Sequence, residues 1–278
     1  MDKIIFITGV SSGFGKEMAN EAAKAGNTVI GTVRRKEQLE EVNAILPGKT
    51  YGYLLDVNDH EKVNEVISNV IDKFGRIDVL VNNAGYGLMG AVEETSMEEA
   101  RMQMETNFFG ALAVTQSVLP FMRKNKSGHI IQFSSIAGII SAPGLGIYNA
   151  SKHALEGMSE ALSLEVASLG IKVTLVEPGP FRTKWAGGSM KFTEKSIDDY
   201  AATAGRLRET ITGYSGEQPG DPVKGAQAVL EIIESSNPPL RLFLGKVAVE
   251  RVKAKIGMLK DNLDAWEAVA LRTDYDQE

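Results

Sequence analysis

The sequence predicts an α/β fold, a doubly wound parallel sheet with helices on both faces, in a single domain. Three observations carry that expectation. Short apolar runs alternate strictly with helix-forming stretches, with no internal repeat and no low-complexity linker. The first run, Ile4-Ile5-Phe6-Ile7, breaks straight into the glycine-rich turn Thr8-Gly9-Val10-Ser11-Ser12-Gly13-Phe14-Gly15. The chain has 278 residues, 43% of them hydrophobic, enough for one large core.

Gly13 to Lys24 has helical composition, and Gly26-Asn27 stops it before the β-rich run Thr28 to Val33, which completes a strand–helix–strand unit. Helical material from Lys36 to Leu46 ends at Pro47-Gly48, and the strand Tyr51 to Leu55 runs into Asp56-Val57. Asn58, with Glu61 three residues on, reads as a capping box; Val63, Val66, Ile67, Val70, Ile71 and Phe74 then keep a helical period up to Gly75. Asp78 to Val81 is too short and too uniformly apolar to alternate, as suits a strand covered on both faces. A long helical region spans Ser96 to Arg123, Ser127-Gly128 separates it from the strand His129 to Phe133, and another helix covers Tyr148 to Leu169. Gly170 ends that helix, and the strand Lys172 to Val176 is closed by Pro178-Gly179-Pro180.

Residues 184–219 break the rhythm. Ser196 with Asp198 and Asp199 reads as a helix start, and Ile197, Tyr200, Ala201, Ala204, Leu207 and Ile211 keep a helical period after it. The insertion is either a packed excursion or a substrate lid; the lid is favoured, with Trp185, Met190 and Phe192 as an apolar wall. Asp221-Pro222 starts a further helix, Asn237-Pro238-Pro239 ends it, Leu240 to Leu244 is the last strand, and a final helix begins near Lys246. The acidic tail from Thr273 is expected to fray.

Composition excludes several classes. A net charge of -6 with no block of Lys or Arg argues against a nucleic-acid surface. No cysteine is present, so disulfides, thiolate zinc sites and cysteine nucleophiles are ruled out. His60, His129 and His153 fall in different segments without metal-ligand spacing, so no metal is expected. No apolar stretch is long enough to span a bilayer, and the chain enters a strand without room for a secretory signal; a soluble cytoplasmic protein with no membrane partner is the expectation.

A buried strand that feeds a glycine-rich turn and a helix start presents backbone N–H groups and the positive end of the helix dipole at one point, which is a seat for phosphate. One glycine serves the tight turn, one the approach of a pyrophosphate and one the packing of helix on strand, although a plain turn before a helix is the alternative. Ligands of such sheets lie at the carboxyl ends of the strands. Polar residues gather there or close by: Asn82-Asn83-Ala84-Gly85, Asn107 in the long helix, Ser134-Ser135 and Tyr148-x-x-x-Lys152. Singly each is weak, because Tyr and Lys four apart are usually a solvated pair and paired serines a turn.

Together these motifs resemble the short-chain dehydrogenase/reductase family in its single-domain form, over about residues 3–183, in the family's order and spacing. The resemblance implies a Rossmann-type fold and an NAD(P)-dependent dehydrogenase or carbonyl reductase. It implies that Tyr148 gives and takes the proton of the substrate oxygen, that Ser135 polarises and places that oxygen, and that Lys152 holds the nicotinamide ribose. Asn107 would open its helix locally so that a water reaches the lysine. Ser135 is preferred to Ser134 because the family's serine lies thirteen residues before its tyrosine, as Ser135 does here. The chemistry is coherent without the name: a phenol titrates at about pH 10, too high for a base at neutral pH, so a cation one helical turn away is expected to bring it down.

By the same resemblance the cofactor lies against Gly9, Ser11, Ser12, Gly13, Phe14 and Gly15. Asp56 and Val57 meet the adenine, or Asp56 only shapes its turn. Asn82, Ala84 and Gly85 border the adenosine side, and Tyr148 and Lys152 the nicotinamide side. Pro178 and Gly179 turn the chain beside the nicotinamide, or merely terminate a strand, and Thr183 bonds the carboxamide. The end of the second strand carries Val33 where a cofactor lacking the 2′-phosphate would meet an acid, followed by Arg34 and Arg35. A guanidinium forks onto a phosphate, so NADP(H) is favoured over NAD(H), with Arg34 as the main contact and Ser12 or Arg35 as helpers; plain surface charge is the alternative.

Ile139, Ile140 and Leu145, with the apolar residues of the insertion, suggest a small-molecule substrate that is a hydrophobic organic carbonyl rather than a charged sugar phosphate. The reading is an NADP(H)-dependent oxidoreductase acting on a secondary alcohol/ketone pair. A non-catalytic, dinucleotide-sensing regulatory protein is the alternative from another class; it has no use for the tyrosine and lysine. A sugar-nucleotide epimerase or dehydratase is disfavoured by the glycine spacing. The family's habit of pairing the helices that hold Asn107 and Tyr148 implies a homodimer or homotetramer.

Overall fold

The computed structural model describes residues 2–275. Its first half runs β1 (Ile4–Ile7), α1 (Gly13–Lys24), β2 (Thr28–Val33), α2 (Gln38–Asn43), β3 (Thr50–Leu54), α3 (His60–Phe74), β4 (Val79–Asn82), β5 (Gly87–Met89), α4 (Met97–Met104) and α5 (Gly110–Asn125). The second half runs β6 (Gly128–Phe133), α6 (Gly146–Val166), β7 (Ile171–Pro178), β8 (Met190–Phe192), α7 (Arg206–Gly213), α8 (Pro222–Glu234), β9 (Arg241–Leu244) and α9 (Lys246–Ala270). Seven strands form one parallel sheet in the order β3-β2-β1-β4-β6-β7-β9.

Side chains alternate across each strand, and both faces are apolar because helices cover both. Ile5, Ile7, Val79 and Val81 pack under Met18 and Ala22 of α1 and Val229 and Ile233 of α8. Ile4, Phe6 and Leu80 face Val66 and Val70 of α3 and Val114 and Val118 of α5. The order reverses at β1, which has β2 on one side and β4 on the other. Loops leaving β1 and β4 therefore part in opposite directions and leave a crevice at the carboxyl edge of the sheet.

Several expectations are corrected. α3 is capped by Asp59, whose side chain accepts from the Lys62 N–H at 3.0 Å, while Asn58 donates to Thr106 Oγ1 at 3.1 Å. The local opening expected at Asn107 is present, as one wide turn over Glu105–Phe109 where the Gly110 N–H reaches the Glu105 carbonyl. Ser196 starts no α-helix: residues 198–200 form a tight turn, 201–205 a wide one, and α7 begins only at Arg206. β5 and β8 have no signal in the sequence, yet they pair in parallel and tie residues 190–192 to 87–89. The expected fraying of the tail falls largely outside the described residues, which end just after the short turn Leu271–Thr273. Among the described residues no helix is long and apolar enough to cross a membrane, and no acid or histidine cluster could hold a metal ion.

Candidate active site

The glycine turn is built by close approach. Gly13 has φ +57 at the start of α1, and a Cβ there would lie 3.6 Å from Thr183 Cβ, so the turn sits directly under Thr183. A Cβ on Gly15 would fall 2.3 Å from the Gly9 carbonyl oxygen, so only glycine lets α1 pack on β1. Ser12 caps α1 with its backbone, and its hydroxyl bonds none of the first-turn N–H groups. Those N–H groups have no acceptor within the helix, and together with the dipole they fit the pyrophosphate of a dinucleotide. Phe14 turns its ring away into the core, 5.3 Å from Phe133 and 4.9 Å from Phe181, which leaves only its backbone at the crevice. Ser11 is exposed at the rim.

Two residues of the sequence motifs, neither among the expected cofactor contacts, stitch the turns together. Thr8 Oγ1 accepts from the N–H groups of Asn83 and Ala84, both at 3.0 Å. Asn83 Nδ2 returns bonds to the carbonyls of Thr8 and Gly9, both at 2.9 Å. Thr8 and Asn83 are polar residues at the ends of apolar strands, the one local signal that could have singled them out.

Not every expected contact turns toward the crevice. Asn82 is buried with its side chain on the α5 side, where Nδ2 donates to Ala111 O, Thr115 Oγ1 and Gln132 Oε1. It braces β4 against α5 and β6, leaving only its backbone for a ligand. Asp56 Oδ1 accepts from the Asn58 N–H at 3.1 Å, the turn-shaping use, and Val57 is core packed against α5. Arg34 and Arg35 are exposed beside the buried Val33, and Arg35 lies 3.7 Å from Glu37. Pro178 ends β7, and the Gly179 N–H donates to Leu244 O at 3.0 Å.

The remaining candidates converge. Within the wide turn, Asn107 Oδ1 accepts from the Tyr86 N–H and its Nδ2 donates to Tyr86 O and Ser151 Oγ. A Cβ on Gly85 would stand 3.0 Å from Asn107 Oδ1 and 3.8 Å from Lys152 Nζ, so this glycine leaves room where the two groups meet. Lys152 Nζ donates to Phe133 O at 2.8 Å and lies 6.0 Å from the centre of the Tyr148 ring. Ser135 Oγ accepts from the Ala137 N–H at 3.1 Å and lies against the Tyr148 phenol. Ser134 points elsewhere, toward Gly138 and Glu156.

The electrostatics differ from the sequence-based expectation. Burial pushes the Tyr148 phenol up to about 12, and the Ser135 hydroxyl only partly offsets this. The phenol therefore stays above its ordinary value, because removal from water outweighs the Ser135 hydrogen bond. Burial also pulls Lys152 down to about 8, against the pull of the Glu156 carboxylate one turn further along α6. At neutral pH the phenol is thus protonated and the lysine mostly an ammonium.

Glu156 belongs to a cluster with no local sequence signature. Arg241 of β9 bonds Glu156 and Glu177 through Nη1 and Glu160 through Nη2. Glu177 is held well above the usual carboxylate range, first by burial and then by Glu156 beside it, while Arg241 pulls the other way. Tyr148, Lys152, Glu156 and Glu160 follow each other at steps of four on one face of α6.

Around Tyr148 the surroundings are apolar. Met89, Leu145, Ala186, Met190 and Ile211 form one cluster with it, and the Trp185 ring stands 5.5 Å from its own. Two open cavities lie away from Tyr148, one of about 180 Å³ beside Glu94 and Glu194 and one of about 420 Å³ beside Tyr51 and Lys73.

A glycine turn under a helix N-terminus at the reversal point of a parallel sheet, with a buried Tyr–Lys pair beside it, defines an oxidoreductase that binds a nicotinamide dinucleotide. More narrowly, the chain belongs to the short-chain dehydrogenase/reductase family: the family model described as short chain dehydrogenase matches residues 3–193. Oxidoreductase BOA17 of Botryotinia fuckeliana is 42% identical over 272 residues, covering 98% of this chain and 99% of its own. The 3-ketodihydrosphingosine reductase of Bacteroides thetaiotaomicron is 40% identical over 275 residues, covering 98% of each chain. A crystal structure of a short-chain dehydrogenase from Streptomyces avermitilis superposes with a TM-score of 0.93 at 42% identity, over 98% of both chains.

Proposed function

We propose that this enzyme transfers hydride between NADP(H) and a secondary alcohol/ketone pair on a hydrophobic molecule, and that at neutral pH it works as a ketone reductase. The observation that carries this reading is the buried Tyr148 phenol inside an apolar cluster, with the Ser135 hydroxyl against it and Lys152 Nζ 6.0 Å from the centre of its ring. The turn from Gly9 to Gly15, with Thr183 over it, would hold the dinucleotide, and its nicotinamide supplies the hydride for the carbonyl carbon. Ser135 donates a hydrogen bond to the carbonyl oxygen as negative charge builds there, which stabilises the transition state. Tyr148 Oη gives its proton to that oxygen. The resulting phenolate is stabilised by the Lys152 ammonium, and Asn107, which fixes Tyr86 and Ser151 around that lysine, keeps the pair in register.

Arg34 supports NADP(H): it is exposed at the end of β2, makes no ion pair among the described residues, and follows Val33 where a ribose-binding acid would stand. The apolar cluster under Trp185 supports a hydrophobic substrate, and the name of the Bacteroides relative identifies a long-chain ketone as the first compound to try. We take residues 184–219 as the lid over that substrate, since Trp185 and Met190 cover Tyr148. No observation favours the regulatory reading.

The test is NADPH consumption with 3-ketodihydrosphingosine, simple aliphatic ketones and sugar phosphates. Apolar ketones are expected to turn over, and Tyr148→Phe to lose at least about a hundredfold in kcat with the fold intact. Wild-type turnover by Tyr148→Phe would end this assignment.

A further inference from the structure

The last helix leaves the body of the protein. α9 is anchored only near its start, where Ala248 and Val252 are buried, and every residue from Ile256 to Tyr275 is exposed. At about 1.5 Å per residue, the free part of the helix reaches roughly 20 Å into solvent. Helices of that length are marginal in water on their own.

Its apolar residues are ordered. Val249, Val252, Ile256, Leu259, Leu263, Trp266 and Ala270 recur at alternating steps of three and four, the spacing of a coiled-coil seam. Val252 seats the helix on the body, whereas Ile256, Leu259, Leu263 and Trp266 are 55–65% exposed. A row of large apolar side chains on one projecting helix marks an interaction surface.

The charges say what covers it. Residues 251–260 hold Arg251, Lys253, Lys255 and Lys260 and no acid; residues 261–270 hold Asp261, Asp264 and Glu267 and no base. Cations toward the amino end and acids toward the carboxyl end oppose the helix dipole, so the arrangement does not serve the helix alone. Within one chain, Lys260 with Asp264 is the one ion pair between the two halves among the described residues. A parallel partner of the same sequence would set like charge beside like. An antiparallel one sets each basic half beside an acidic half.

We propose that α9 docks antiparallel on α9 of a second copy of this chain, about a two-fold axis near Asp261, with Leu259 of each helix facing Leu263 of the other and Ile256 facing Trp266. A lipid surface is the other occupant for an amphipathic helix, and the acidic half counts against it.

Sedimentation equilibrium of the full chain tests this. The double variant Leu259→Lys/Leu263→Lys is expected to halve the mass of the wild-type assembly. Charge reversal guards against a merely misfolded helix: Lys253→Glu/Lys255→Glu and Asp264→Lys/Glu267→Lys should each dissociate the assembly, and the two together should restore it. Because the chain has no cysteine, single spin labels at Ala254→Cys, Asp261→Cys and Ala268→Cys report orientation, with the shortest distance between copies expected at 261 and longer, similar ones at 254 and 268. Equal distances at the three positions, a wild-type monomer, or a mass unchanged by the leucine substitutions would overturn the proposal. So would wild-type protein that sediments with phosphatidylcholine/phosphatidylserine vesicles through the two leucines, which would assign the face to lipid.

Discussion

His129 shows how a single buried group sets a pH response. It lies on β6 with Nε2 at 3.0 Å from Thr174 Oγ1, and that hydroxyl already donates to Pro239 O. The ring must therefore donate from Nε2. Burial, with Lys172 nearby, pulls its pKa down to about 4. The unfolded chain takes up a proton below about pH 6.5 that the fold refuses, so stability is present above that pH and lost as pH falls toward 4. The loss between pH 8 and pH 5 is about 2 kcal/mol. Glu177 has the opposite sign: its pKa is raised in the fold, so its contribution fades as pH rises through the folded value. Denaturant unfolding of wild type and His129→Gln across pH 5 to 8 separates the two, since the acid-side loss should shrink by about 2 kcal/mol in the variant. Parallel curves would show that His129 titrates normally in the fold.

At the level of elements, what could be read from the sequence was what short-range pattern encodes. The glycine turn, the αL glycines at 75 and 170, the Asp221-Pro222 helix start and the Tyr148/Lys152 ridge all depend on neighbours within a turn or two. What escaped depends on partners far along the chain. β5 and β8 are three residues each and exist only because residues 87–89 and 190–192 meet. Arg241 finds Glu156 and Glu177 only once β9 lies beside β7. Asn82, Val57 and Phe14 stand at motif positions but turn their side chains inward, a choice made by packing rather than by the motif. The β5–β8 pair also brings Trp185 against β5: a Cβ on Gly87 would lie 2.7 Å from Trp185 Cζ2, so the indole rests on bare backbone. Trp185→Ala removes one apolar neighbour of Tyr148 and leaves the phenol itself in place. KM for a long-chain ketone is expected to rise roughly tenfold with kcat little changed. An equal fall in kcat would place the indole in the chemistry instead.

Across the whole molecule, the crevice is assembled from loops that follow β1, β4, β6 and β7 and from one face of α6. Each loop leans on another: Thr8 on Asn83 and Ala84, Gly9 on Thr32, Gly13 on Thr183, Lys152 on Phe133. A dinucleotide bound across them would contact both halves of the sheet, and since it would bind the folded chain alone its binding energy would add to the stability of the entire domain. At a hundred times Kd this amounts to about 2.7 kcal/mol, a rise in Tm of roughly 5 °C or more for a chain of this size. NADPH should therefore raise Tm more than NADH at equal concentration. Arg34→Ala should shrink the NADPH shift toward that of NADH and leave the NADH shift as it was, because only the 2′-phosphate has lost its partner. Thermal unfolding of both proteins with each cofactor measures this directly; equal shifts in the wild type would make Arg34 plain surface charge and leave the choice of cofactor to another residue.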